Sequence, residues 1–109
     1  MMQTLNQQSS NSNVGKKNDD GKLRFDLLLP SFEEDVAEVL TYGAEKYGAN
    51  NWQKVEDAKN RYYAALRRHL NAWRQGEVSD SESGLDHLAH AAANIMFLMY
   101  FEGNNERHK

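Results

Sequence analysis

The stretch Leu85-Asp86-His87-Leu88-Ala89-His90-Ala91-Ala92-Ala93-Asn94-Ile95-Met96-Phe97-Leu98-Met99-Tyr100-Phe101 decides the fold. It holds no Pro or Gly, is rich in strong helix formers and is too long for an ordinary strand, so it predicts a helix. Asn94 is the one amide or charge between Ala91 and Glu102, which makes the predicted helix apolar nearly all round. A helix of that kind belongs inside a bundle or a subunit interface. Ser79-Asp80-Ser81-Glu82 supplies helix-start chemistry ahead of it, and Gly103 is the expected stop.

Two amphipathic helices are predicted upstream. Ser31-Phe32-Glu33-Glu34 has the spacing of a capping box, and Phe32, Val36, Val39, Leu40 and Tyr47 share one helical face, which predicts a helix over 31–47. Gly48-Ala49-Asn50-Asn51-Trp52 reads as a loop. A second helix, from about 57 to 75, places Ala58, Tyr62, Ala65, Leu66, His69 and Trp73 together and stops at Gly76. No period-two pattern supports a sheet, so the fold class is all-α, a small helical bundle.

Further out the chain changes character. Residues 1–20 hold only Met1, Met2, Leu5 and Val14 as sizeable apolar side chains and are expected to be a disordered tail; 104–109 is expected to be a short C-terminal tail. Residues 21–103 form the expected domain, with Leu23 to Leu29 an apolar arm that packs on its body and ends at the only proline. Fewer than 90 residues bury a small fraction of their surface, so oligomerisation is expected to complete the core. Cysteine is absent, which excludes disulfides and thiolate metal sites, and no signal peptide or membrane span is legible, which predicts a cytoplasmic protein. A net charge of −3 argues against nucleic-acid binding.

Two sets of carboxylates carry the chemistry. Glu34, Glu38 and Glu45 form an acidic stripe on helix one, which as it stands is also what a solvated face looks like. Glu82, Asp86, His90 and Asn94 recur every four residues and form a polar row leading into the apolar helix. Acids beside a buried helix need a cation, a hydrogen-bond network or solvent. Two helices each offering carboxylates a turn apart suit a hard divalent ion, so Glu34, Glu38, Glu82 and Asp86 are the expected ligands of Mg²⁺ or Mn²⁺. Zinc is disfavoured, since His87 and His90 are three apart and a third nitrogen has to come from His69. A phosphate substrate needs cations; helix two offers Arg61, Arg67, Arg68 and Arg74, the arm Lys22 and Arg24, and Lys46 and Lys54 lie nearby. Of these Lys22, Arg24, Lys46 and Arg67 are the first candidates, with Trp52 a platform for a purine and His90 and Asn94 either a core pair or nucleotide contacts.

The words KLRFDLLLP (22–30), TYGAEKYGANNW (41–52), RRH (67–69) and DSESGLDHLAHAAANIMFL (80–98) resemble the phage dATP/dGTP pyrophosphohydrolases, which are similar to the MazG and HisE group of all-α nucleoside triphosphate pyrophosphatases. The resemblance spans residues 22–101. It implies a dimer or tetramer, two or three Mg²⁺ or Mn²⁺ ions, and attack of water on the α-phosphate of a purine deoxynucleotide, dGTP before dATP, releasing the monophosphate and pyrophosphate. Glu38, with Glu34 or Glu45, is then the catalytic acidic group, and the host cytoplasm is the expected location of a phage-encoded member. The competing expectation is a nucleotide-binding helical oligomer without turnover.

Overall fold

The computed structural model describes the backbone of residues 14–107 and side chains as far as Gly103. Three helices make the architecture: α1 (Pro30–Tyr47), α2 (Ala58–Arg74) and α3 (His87–Arg107). Short 3₁₀ turns, Phe25–Leu27 and Asn51–Lys54, precede α1 and α2. There is no strand among the described residues, only an isolated antiparallel bridge between Ser79 and Asp86. The fold is all-α.

α1 begins two residues earlier than a capping box at Ser31 implies. Pro30 takes the first helical position, where its missing N–H costs nothing, and Leu29 is the extended N-cap with no side-chain cap bond. Ser31 is thus already inside the helix and Glu34 is not a capping residue. Gly48, at φ 97°, closes the other end by donating its N–H to the Ala44 carbonyl.

The end of α2 follows from Gly76. Its φ of 102° lets its N–H reach the Trp73 carbonyl and the Glu77 N–H reach back to Ala72, a Schellman closure. Nothing lies within 4 Å of a Cβ added there, so the cost of a side chain is conformational. Gly76→Ala is expected to destabilise the chain by about 1–2 kcal/mol in urea denaturation, with the helical circular dichroism unchanged.

α3 packs on both other helices. Its alanines permit the approach: Ala89 and Ala93 meet Val39 of α1 in a core flanked by Val36, Leu40, Leu85 and Phe97. Ala93 is 1% exposed, yet no large side chain among the described residues is fully buried.

Four expectations change here. The arm does not pack on the body of its own chain: Leu23, Phe25 and Leu27 are 80%, 70% and 72% exposed, because the single chain offers them no second apolar layer. Gly103 does not stop α3, which continues to Arg107; Gly103 is buried and is not among the glycines with positive φ. The expected tail from 104 therefore begins inside a helix. α3 also starts at His87, so Glu82 and Asp86 lie outside it and the four-residue polar row is helical only from His90 to Asn94. The cause is local: the Asp80 carboxylate caps one turn by accepting the backbone N–H groups of Glu82 and Ser83 at 3.1 and 2.8 Å, but Gly84 at φ 77° ends it, so a turn replaces the helix start. Of the expected disordered tail, residues 1–13 lie outside the described residues, and 14–20 are exposed.

Candidate functional site

A cleft of about 1060 Å³ opens where the C-terminal half of α1, the loop 48–52, α2 and α3 face one another. Glu45 and Lys46 line it from α1, Trp52 from the loop, Arg61 and Arg68 from α2, and His90 and Asn94 from α3. Trp52 is half-buried. Its ring stacks on Phe97 at 4.6 Å and meets Tyr100 edge-on at 5.0 Å, while Tyr62 Oη donates to its carbonyl at 2.9 Å. Burial raises the Tyr62 phenol above its ordinary pKa. Asn94, 6% exposed, donates from Nδ2 to the His90 carbonyl one turn back.

The other predicted cations are distributed differently. Lys46 pairs with Glu82 and lies over the Tyr42 and Tyr47 rings; the bond to Glu82 is the main reason its pKa is raised. Arg67 turns outside the cleft and donates to the Tyr63 hydroxyl at 2.7 Å. Lys22 is exposed, and Arg24 grips Asp26 in a two-pronged pair at 2.8–2.9 Å that raises its own pKa and lowers the carboxyl's. Arg61 and Arg68, seven residues apart and so on one face of α2, line the cleft where sequence reasoning favoured Arg67. Their i, i+7 spacing across the small Ala65 was the signal available.

The predicted carboxylates are spread along the same side chains' elements. Glu34, Glu38 and Glu45 are exposed on α1; Glu45 alone of the three lines the cleft. Glu82 sits in the turn after α2, and Asp86 immediately precedes α3, its carbonyl receiving the first helical N–H from His90. Within one chain no three of these five bring carboxylate oxygens together; among the described residues the one converging trio of metal-ligating side chains is His69, Asp80 and His87.

That trio borders a smaller cavity of about 320 Å³, shared with Tyr42, Lys46, Arg68, Glu82 and His90. His69 stacks on His90 at 4.4 Å with the rings nearly parallel, and His90 Nε2 meets Ser83 Oγ at 2.7 Å. Burial, then the neighbouring His90, pushes His69 down to about 4, and burial also lowers His90. Burial acts to raise the Asp80 carboxyl, but hydrogen bonds from the Ser83 backbone and hydroxyl prevail and hold it below its ordinary value.

The two cavities thus gather residues that are far apart in the chain, from 39–55, 61–69 and 80–97. A family model described as dATP/dGTP diphosphohydrolase, N-terminal, matches residues 12–109. The chain belongs to this family. A dATP/dGTP diphosphohydrolase of Salmonella phage PMBT28 is 41% identical over 93 residues, which cover 84% of this chain and 31% of that protein. The chain therefore spans about a third of the length of this diphosphohydrolase relative. No solved structure matches. For a member of the dATP/dGTP diphosphohydrolase N-terminal family, the match takes in every residue of both cavities, and no helix among the described residues is long and apolar enough to cross a membrane.

Proposed function

We propose that the chain hydrolyses a purine deoxynucleoside triphosphate, dGTP in preference to dATP, to the monophosphate and pyrophosphate, in the host cytoplasm. The observation that carries this reading is the cleft itself. It is large enough for a nucleotide, it is bordered by Arg61, Arg68 and Lys46, and its residues fall in a chain 41% identical to a named dATP/dGTP diphosphohydrolase.

In this reading Arg61 and Arg68 neutralise the triphosphate and, as pyrophosphate leaves, the charge that builds on it. Lys46 exchanges Glu82 for a phosphate oxygen. Glu45, on the cleft wall, takes the proton of the water that attacks the α-phosphorus as the bond to the bridging oxygen breaks. Trp52 offers the edge or free face of its ring to the purine, and Asn94 and His90 border the same space. Two or three Mg²⁺ or Mn²⁺ ions supply charge neutralisation when bound. The ligand set Glu34, Glu38, Glu82 and Asp86 does not fit such ions within one chain, since its oxygens do not converge. A homodimer or homotetramer is proposed to bring them together, and the exposed Leu23, Phe25, Leu27 and Met99 are surfaces such an assembly would cover.

The test is a panel of dNTPs and NTPs with Mg²⁺, with products separated as monophosphate plus pyrophosphate or diphosphate plus phosphate. Pyrophosphate from dGTP is expected. Binding of dGTP without any pyrophosphate would instead support the nucleotide-binding oligomer without turnover.

A further inference from the structure

Spacing along the chain pairs His87 with His90, but the fold pairs it with His69. The two Nδ1 atoms face each other at 2.9 Å across the α2–α3 contact. His87 is 4% exposed, and its other nitrogen, Nε2, lies 2.7 Å from the Glu77 carboxylate. A carboxylate only accepts, so Nε2 carries a hydrogen, and in the neutral ring Nδ1 of His87 presents its lone pair toward His69. One nitrogen of each ring and an oxygen of Asp80 lie within 4.8 Å of one another. Asp80 is held for this position through Oδ2, which takes the two backbone N–H groups of its own turn.

We propose that His69, Asp80 and His87 bind one divalent transition ion, Zn²⁺ by preference, at a site separate from the α1 carboxylates and independent of the nucleotide reading. Imidazole nitrogens select zinc or cobalt over magnesium, and three protein ligands leave a fourth position open. The neighbouring cavity of about 320 Å³ gives that position access to water. Glu77 is the outer carboxylate that metal-bound histidines commonly possess, fixing the tautomer and the ring. His90, stacked on His69 and tied to Ser83, steadies the ring from behind and is not a ligand. Bound metal takes the place of the hydrogen between the two Nδ1 atoms, His69 shifting to the tautomer protonated on Nε2 through exchange with water, and spreads the pair by roughly half an ångström, as Zn–N bonds of about 2.0–2.1 Å in a tetrahedron require.

The probe is Co²⁺ alone, added to the full chain after chelator treatment. Visible ligand-field bands of a four-coordinate cobalt are expected to saturate at one equivalent per chain, to persist in excess Mg²⁺ and to disappear when Zn²⁺ is added. His69→Gln and Asp80→Asn should abolish the bands, whereas His90→Gln and Glu38→Gln should keep them. His87→Gln removes a buried side chain and could unfold, so the decision rests on the other variants. Absence of one-equivalent binding by the wild type overturns the proposal. So does loss of the bands in Glu38→Gln with their retention in His69→Gln, because the ion would then belong to the acidic stripe.

Discussion

Replacing Glu38 by Gln is expected to leave the metal-free chain folded and to remove at least about a hundredfold of dGTP turnover, the usual worth of a preorganised electrostatic partner. Glu38 is exposed on α1, where a neutral substitution changes stability by about 0.5 kcal/mol or less. Asp86→Asn should behave alike, its backbone contact to α3 being untouched by the change. Magnesium separates a site from a solvated face. An ion that binds only the native state raises stability by about 2.7 kcal/mol at one hundred times its Kd, and each variant should lose most of that rise. Because the carboxylates do not converge within one chain, the proposed assembly makes the rise shrink on dilution. Melting curves with and without Mg²⁺, at two protein concentrations and beside dGTP turnover, check this. An active, magnesium-responsive Glu38→Gln protein would remove Glu38 from the site.

Phe97→Ala is expected to cost about 3 kcal/mol, the lower end for an aromatic deletion because the ring is only half-buried. Phe97 joins three layers: it flanks the Val39, Ala89 and Ala93 core, stacks on Trp52 at 4.6 Å and tilts against Tyr62 at 4.8 Å. No neighbouring ring can fill the space without leaving its own partner. Trp52 loses its stacking surface in the variant, so its emission should shift to the red before global unfolding begins. Urea titration followed by tryptophan fluorescence measures both, and a loss below about 1 kcal/mol would show that Tyr100, Phe101 and the Tyr62 hydrogen bond hold the Trp52 loop without Phe97.

The helices were legible where periodicity ran uninterrupted. Val36, Val39 and Leu40 on α1, and Ala58, Tyr62, Ala65 and His69 on α2, turned inward as their spacing requires, and Gly76 ended α2 as read. Boundaries failed where a glycine or proline acted otherwise than its position suggested: Pro30 opens α1, Gly103 leaves α3 running, and Gly84 interrupts the start read at Glu82. Asp80 caps a single turn by accepting the N–H groups of Glu82 and Ser83, and Gly84 at φ 77° ends that turn, which removes Glu82 and Asp86 from the polar row. The histidine pairing was illegible for a different reason. His69 and His87 meet only because α2 and α3 pack, and no spacing within either helix encodes that register. Arg67 and Arg68 are neighbours on a helix separated by about 100°, so a choice between them depends on knowing where the cleft lies.

The alternation of alanine with polar residues along α3 has a consequence for how this chain tolerates change. His87, His90 and Asn94 are interleaved with Ala89, Ala91 and Ala93, all three alanines being nearly inaccessible. Methyl groups therefore set the distance between helices, and that distance sets where the three polar side chains sit. A valine or leucine in place of Ala93 would push α3 outward and move them all while leaving each of them chemically intact. In a library scored for function, the silent alanines should consequently be recovered beside the charged positions, as losses of geometry without any loss of reactive groups.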